Sequence, residues 1–555
     1  MWEEMHAMLR DIKAVLFHRS FHLVIVLGIE GTAHTVGCGI LDGRKILSSV
    51  SSTYSPPKGG IHPREAAVHH AENVVPVIQR ALAKAGISIE DVDLIAFSMG
   101  PGLGPCLRVV ATAARTLSLR HKIPLLGVNH PLGHVEIGRM LSGADDPVML
   151  YVSGGNTQVI AHMQGRYRVF GETIDIGLGN MLDKIARDFG YPFPGGPKIE
   201  ALASSGNKLL ELPYSVMGMD TSFSGIYTAA KRYRELGESD QDVCFSIQET
   251  AFSMLVEVTE RALDYLGKSE ILLAGGVARN KRLREMISKM SQENGCKSYL
   301  TDPEYCMDNG AMIARAGQLM YESGQRQELE QTAVIQNYRI DQVEAGWVKS
   351  ESRPLPMQGA EAVLTKSRYI DRSAITKTRI GKGYRDPRLD ARIRSSRLRN
   401  EVSIALRLHE IGIDTPTVYS LRPDSRKIIM QRLDGMSLRD AIVSGYNGQE
   451  MMENLGALVA KMHSNMISHG DLTTSNLIVD KRNRIYFIDA SMGSYPAEKE
   501  ALAQDLFLLK ESLASMHGNQ PSLWKHFLNS YMDKAGSTEE VVSILRTIEA
   551  RRRYV

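Results

Sequence analysis

His469-Gly470-Asp471-Leu472-Thr473-Thr474-Ser475-Asn476 is followed, twelve residues on, by Ile488-Asp489. An acid just after a histidine, an amide a few residues on and a second acid after an apolar strand suit phosphoryl transfer. The first carboxylate accepts or orients the proton of an attacking hydroxyl. The amide and the second carboxylate hold magnesium on the phosphates. Far upstream, Asn129-His130-Pro131-Leu132-Gly133-His134 stands with Asp308-Asn309-Gly310 among glycine turns of a second, different ATP-type fold. One chain carrying both is most simply a fusion of two domains.

The length agrees, because 555 residues are too many for one core. A hydrophobic share of 43% and a charged share of 23% are those of an ordinary globular protein. Five cysteines (Cys38, Cys106, Cys244, Cys296 and Cys306) are scattered and form no C-x-x-C pair, which points to a reducing, cytoplasmic compartment. No apolar run reaches the roughly 18 residues that span a bilayer. Residues 1–22 mix charges and lack a clean apolar core, so they read as an extension ahead of the first strand and not as a signal peptide. Charge is unevenly spread: from Lys366 to Arg399 there are twelve Lys and Arg against three Asp, and Arg551-Arg552-Arg553 stands near the C-terminus. Both are candidate phosphate-contacting surfaces, the other reading being solvated helix faces.

The first strong strand, Leu23-Val24-Ile25-Val26-Leu27, turns through Gly28-Ile29-Glu30-Gly31-Thr32 into a second strand near 36–41. The same unit recurs at Val148-Met149-Leu150-Tyr151-Val152, turning through Ser153-Gly154-Gly155-Asn156-Thr157. Two such hairpins opening two halves predict an α/β fold of the actin-like and sugar-kinase (ASKHA) type, in which backbone N–H groups of the turns hold phosphates. Apolar spacing predicts helices over 65–85 and 248–266. From Gln325 to Met357 the chain is polar, with Arg353-Pro354-Leu355-Pro356 near its end. The expected organisation is an extension over 1–22, a first domain over 23–345, a linker over 346–357 and a second domain over 358–555.

His130 and His134 are four residues apart, so on a helix both imidazoles project from one face and can share a cation. Such a pair can equally be structural. No Glu follows His130, so the general base of an H-E-x-x-H metallopeptidase is missing where that motif requires it. Residues 24 to about 345 resemble the tRNA adenosine threonylcarbamoyltransferase family, the actin-like catalytic subunit of the KEOPS complex. The matching blocks are Gly28–Ala33, His62–Ala67, Gly100–Gly102, Asn129–His134, Tyr151–Thr157, Asp183-Lys184, Gly195–Pro197 with Glu200, Ser222–Gly225, Gly275–Asn280 and Asp308–Gly310.

The resemblance implies metal ligands at His130, His134 and Asp308, with Tyr151 as a further ligand, a set that suits iron or zinc. It implies substrate and nucleotide contacts from Tyr151, Val152, Ser153, Gly154, Gly155, Asp183, Gly196, Glu200 and Asn280. The implied reaction moves a threonylcarbamoyl group from threonylcarbamoyl-AMP to the N6 amine of an adenosine next to the anticodon, in tRNAs reading codons that begin with A. His62 and Glu65 are weak candidates for a base, helix-end packing being the other reading. Implied partners are tRNA, an enzyme supplying the adenylate and other KEOPS subunits.

Residues 358–555 resemble the small atypical Ser/Thr kinase of the same complex, a minimal bilobal α+β domain. Gly359, Ala360, Glu361 and Ala362 stand in place of the longer glycine-rich loop. Lys377 matches the phosphate-contacting lysine, Glu401 its ion-pair partner, Asp471 the proton acceptor, and Asn476 and Asp489 the magnesium ligands of bound ATP. Ile428–Leu433 reads as a strand entering the hinge. Asp489 is followed by Ala490-Ser491 and no A-P-E segment follows, so a platform for a peptide is largely missing and ATPase action becomes an expectation. The competing reading is a nucleotide-sensing, chaperone-like ATPase fused to a signalling kinase. It predicts no bound transition metal and no tRNA affinity beyond the non-specific.

Overall fold

The computed structural model describes residues 24–56, 61–349, 362–516, 522–534 and 538–554. They form two compact units. The first holds residues 24–145, 163–167 and 300–349, and the second holds 146–162, 168–299 and the described residues after 350.

In the first unit, β1 (Ile25–Glu30), β2 (Thr35–Asp42) and β3 (Lys45–Thr53) form an antiparallel meander. β4 (Leu94–Gly100) and β5 (Leu125–Asn129) extend the sheet in parallel from the other side of β1, giving the order β3-β2-β1-β4-β5. β4 is buried throughout and β1 nearly so, as expected of central strands covered on both faces. On one face lie α1 (Pro63–Ala85) and α2 (Gly104–His121), with Val77, Ile78 and Val110 in a shared core. On the other, α9 (Gly310–Glu322) comes so close that a Cβ on Gly28 would sit 2.3 Å from the Gly310 carbonyl oxygen. Glycine at that strand position lets the turn ahead of α9, and Asp308 with it, reach the sheet.

The polar residues after Gln325 do not hang free. Leu329, Val334 and Tyr338 pack against the core, and Arg115 donates to the Thr332 carbonyl at 2.5 Å. Further on, the Trp347 indole donates to Glu136 at 3.0 Å. A few apolar anchors hold a stretch whose average composition reads as linker. Its continuation over 350–361, like the extension over 1–22, lies outside the described residues.

The second unit repeats the first sheet. β6 (Val148–Val152), β7 (Thr157–Met163) and β8 (Arg166–Glu172) form the meander, and β9 (Glu270–Ala274) and β10 (Lys297–Leu300) add on beyond β6. The order β8-β7-β6-β9-β10 is that of the first sheet. A duplicated meander with strands added beyond its first strand is the actin-like architecture expected from the two glycine hairpins. Around it lie α4 (Leu178–Asp188), α5 (Gly195–Ala203), α6 (Ser224–Glu235), α7 (Asp240–Leu266) and α8 (Lys281–Glu293), sharing one core.

The same unit contains the C-terminal domain. Its small lobe is a sheet of β11 (Ala362–Tyr369), β12 (Arg372–Arg379), β13 (Val418–Arg422) and β14 (Lys427–Gln431) with α10 (Pro387–Glu410). Its large lobe packs α11 (Leu438–Val443), α12 (Gly448–Ser464), α13 (Lys499–Met516) and α14 (Ser522–Lys534) on one apolar core.

The basic stretch 366–399 departs from the expectation of a phosphate-facing surface, because much of it is turned inward. Lys382 donates to Glu260 at 2.7 Å, and Arg385 and Arg397 donate to the two oxygens of Glu257 at 2.6 and 2.7 Å. Both acceptors lie on α7. Tyr384, between these cations, is 1% exposed and belongs to the core of α4, α7 and α8. Lys377 and Arg379 are buried as well. Composition registers the charge but not its acidic partners, more than a hundred residues away in sequence. Buried pairs of this kind cost about 3–5 kcal/mol when one partner is removed.

Candidate metal centre and nucleotide sites

β5 runs directly into α3 (His130–Ser142), whose N-cap Asn129 accepts from the Leu132 N–H at 3.1 Å. This puts His130 on the first turn and His134 one turn on, both buried, with ring centroids 4.9 Å apart. Asn309 caps α9 in the same way, accepting from the Met312 N–H at 2.9 Å, and Asp308 directly precedes it. One oxygen of Asp308 lies 3.5 Å from His130 Nε2 and 3.3 Å from His134 Nε2. One donor atom from each of the three residues falls within 4.8 Å of the others, so two imidazoles and a carboxylate converge as a transition-metal site requires.

His130 is held from behind. Its Nδ1 lies 3.2 Å from Glu30 and 3.2 Å from the Thr32 hydroxyl, and Glu30 in turn accepts from the Thr32 N–H and O–H at 2.8 and 2.6 Å. A carboxylate behind a ligating histidine fixes the ring and its tautomer. The same carboxylates set the charges. Burial disfavours charge on His130, but Glu30 and Asp308 outweigh it and raise the imidazole to about 9. Burial also dominates at His134, whose value is lowered. Burial alone would raise Asp308, yet His130 and His134 hold it below the ordinary carboxylate range. The donor set and its supporting carboxylate fit an iron or zinc ion.

In the second unit, the expected nucleotide residues form a ring at the carboxyl ends of β6 and β9. Such strand ends are where ligands bind in parallel sheets. The Ser153–Asn156 turn receives the start of α4: the Gly179 N–H donates to the Ser153 carbonyl at 3.2 Å and the Asn180 N–H to the Gly154 carbonyl at 2.9 Å. A Cβ on Gly177 would lie 2.5 Å from the carbonyls of Gly154 and Gly155, so this approach requires glycine. Asp183, on α4, accepts from the Gly195 N–H at 2.7 Å and ties α4 to the start of α5, where Gly196 has open space beside it. Glu200, on α5, accepts from the Lys281 N–H at 2.8 Å. Asn280 caps α8 and donates to Gln248 at 2.7 Å, so both ends of its amide are engaged inside the protein. Val152 and Tyr151 are fully buried at the end of β6. Tyr151 lies in this unit and not in the one that holds the histidine pair.

The residues expected of the kinase-like centre lie close together. Lys377 on β12 contacts Glu401 of α10 at 2.7 Å and Asp489 at 2.8 Å. Burial would lower the Lys377 ammonium, but the two carboxylates raise it above its ordinary value. Asp489 has φ 59°, a left-handed conformation that Asp tolerates better than most residues. Asn476 donates to the Asp471 carboxylate at 2.9 Å, and burial raises the Asp471 carboxyl. Only 490–498 separate Asp489 from α13, and no helix or strand of three or more residues forms there. Ala362 opens β11, whereas Gly359, Ala360 and Glu361 lie outside the described residues.

Comparison with known proteins agrees with both halves. The family model described as tRNA N6-adenosine threonylcarbamoyltransferase (TsaD) matches residues 45–315, and that of the lipopolysaccharide kinase (Kdo/WaaP) family matches 357–531. A "probable bifunctional tRNA threonylcarbamoyladenosine biosynthesis protein" of Thermoplasma volcanium is 56% identical over 532 residues, covering 96% of this chain and all of the relative. The chain belongs to this family. A relative of the same description from Methanocaldococcus jannaschii is 45% identical over 542 residues, again covering 96% of this chain and all of the relative. Among solved structures, HypF of T. kodakarensis is similar over 54% of this chain and 48% of its own, with 16% identity and a TM-score of 0.42. As a bifunctional tRNA threonylcarbamoyladenosine biosynthesis protein, the chain joins a transferase domain to a kinase-like one. Among the described residues no helix is long and apolar enough to cross a membrane.

Three residues of these sites are silent in the sequence. Glu30 reads only as part of a glycine turn, and a buried acid amid apolar strand residues is the signal that could have found it. Arg379 donates to the second oxygen of Glu401 at 2.6 Å and lies 3.7 Å from Asp489, so two cations flank each acid. Its alternation with Lys377 along β12 is the available signal. Asp505, a fully buried acid between apolar residues of its helix, accepts from the His469 and Gly470 N–H groups at 2.6 and 2.8 Å and fixes the start of the 469–476 loop. His62 and Glu65 are exposed at the start of α1, with Glu65 accepting from Tyr54, as helix-end residues do.

Proposed function

We propose that the first domain transfers a threonylcarbamoyl group from threonylcarbamoyl-AMP to the N6 amine of an adenosine next to the anticodon, releasing AMP. The observation that carries this is the convergence of His130, His134 and Asp308, backed by Glu30, in a chain of the threonylcarbamoyladenosine family. His130, His134 and Asp308, with Tyr151 as the further ligand that the family resemblance implies, would hold an iron or zinc ion, which would supply Lewis acidity toward a carbonyl oxygen. The protein holds the imidazoles in place through Glu30 and Thr32. In the transfer, N6 forms a bond to the carbamoyl carbon, the bond from that carbon to the phosphate oxygen breaks and leaves AMP with the electron pair, and the amine proton passes to solvent water. An aromatic amine is a weak nucleophile, so orientation and stabilisation of the leaving phosphate matter most. The backbone N–H groups of Gly154 and Gly155 serve the phosphate, that of Ser153 being donated to the Asn156 carbonyl at 2.7 Å. Asp183 and Glu200 face the ribose, while Asn280 shapes the wall through its cap.

The second domain binds ATP and magnesium through Lys377, Asn476 and Asp489, with Asp471 toward the acceptor, and regulates the transferase as an atypical Ser/Thr kinase or ATPase. The shortness of 490–498 favours hydrolysis over a peptide acceptor. The chain works in the cytoplasm with the other KEOPS subunits and an enzyme supplying the adenylate. The test incubates the full chain, its partner subunits, unmodified tRNA and labelled threonylcarbamoyl-AMP, then digests the tRNA to nucleosides. Label in threonylcarbamoyladenosine supports the reading, and its absence contradicts it.

A further inference from the structure

A cavity of about 1020 Å³ opens between α6 of the transferase domain and α10 of the kinase-like domain. None of the catalytic or metal roles assigned above uses it. One wall carries Thr228 and Arg232, the other Arg392, Ser396 and Asn400, and Tyr214 and Tyr233 give it aromatic surface. A second, open groove of about 430 Å³ shares Arg392, Ser396 and Asn400 and continues past Arg399 to Ser403. Arg392, Ser396, Arg399 and Ser403 follow one face of α10 by helical spacing, a line of roughly 16 Å at 1.5 Å per residue.

The charges are available to a ligand. Among the described residues, Arg232 and Arg399 are exposed and have no carboxylate partner. Arg392 donates to the Leu212 carbonyl at 3.2 Å, and its one carboxylate partner, at 3.2 Å, is Glu211, which is 77% exposed and is the sole acid lining the cavity. Arg397 is different, being committed to the buried Glu257. Of the basic stretch 366–399, this face of α10 is therefore a part that stays open after the interface has taken its share. Guanidinium groups in a row, hydroxyls between them and aromatic surface beneath suit a run of phosphodiesters with unstacked bases. A compact anion would leave most of the groove unfilled.

We propose that this groove holds a single-stranded segment of RNA, with Arg232, Arg392 and Arg399 on its phosphates. The proposal rests on the tRNA-modification reading and adds where the RNA backbone crosses the chain. RNA seated there touches α10, which carries Glu401, and Asn400, which donates to the carbonyls of Ser491 and Gly493 at 3.0 and 2.6 Å.

The test measures binding of unmodified tRNA to the full chain across a salt series. Replacing Arg232, Arg392 and Arg399 together by Ala lowers affinity by at least about 10-fold. It also reduces the slope of log affinity against log salt by about 2, at roughly 0.7 per phosphate contact on a single strand. Glu211→Gln, a surface change that cannot unfold the protein, tightens binding. Melting temperature and tRNA-free ATP hydrolysis stay at wild-type values in both. Wild-type affinity and slope in the triple variant, with the wild-type chain still modifying tRNA, overturn the groove and leave the transferase reading intact. A wild-type chain that neither binds nor modifies tRNA overturns both.

Discussion

The metal centre and the kinase-like centre are built alike and do opposite things. In each, two acids flank two nitrogen groups: Glu30 and Asp308 around His130 and His134, and Glu401 and Asp489 around Lys377 and Arg379. The difference is whether the nitrogen can give up its proton. An imidazole near its own pKa can, and becomes a ligand for a cation. An ammonium between two carboxylates, or a guanidinium, cannot, and remains positive charge for a phosphate. Geometry gathers the groups; the basicity of the nitrogen chooses between metal and nucleotide.

Separate chemistries predict separate losses. Lys377→Ala or Asp489→Asn lowers ATP hydrolysis by about 10³-fold or more and leaves the transition-metal content unchanged. Elemental analysis beside a phosphate-release assay checks this, and metal loss in either variant would break the contrast. His134→Ala removes a candidate ligand from the first unit. Metal per chain falls to background and transfer drops about 10²- to 10³-fold, while ATP hydrolysis persists. Glu30→Gln keeps the shape of the hydrogen bond but not its charge, and weakens metal binding about 10- to 100-fold in competition with a chelator.

The smallest effect is a pH dependence. Glu30 and Asp308 raise His130 to about 9, so at pH 7 this nitrogen holds a proton that an incoming metal must displace. Because the shift is upward, proton competition is strongest below pH 9 and fades above it. Metal affinity therefore climbs by up to about tenfold per pH unit from 7 to 9, then levels. An affinity that is flat over this range would mean that His130 is already neutral.

What was legible in the sequence is what chemistry fixes at short spacing. His130 and His134 share a helix face, Asp471 and Asn476 share one loop, and the two glycine hairpins announce a duplicated sheet that the strand order bears out. What stayed hidden is non-local. Arg385 meets Glu257 across 128 positions, and His130 meets Glu30 across 100. No local pattern marks such pairs, so the burial of Lys377, Arg379, Lys382, Arg385 and Arg397 within the basic stretch could not be read from it. Asn280 shows the same limit on a smaller scale, since the Gln248 to which its amide donates stands 32 positions away.

We propose that transfer belongs to the metal centre and that the kinase-like centre acts on it only as a regulator. The most direct measurement is single-turnover transfer of labelled threonylcarbamoyl from its adenylate to unmodified tRNA, comparing wild type, His130→Ala/His134→Ala and Asp471→Ala. Loss of transfer in the first variant, with its retention in the second, is the predicted result. Transfer that survives removal of both histidines, or that disappears with Asp471 alone, would contradict the account.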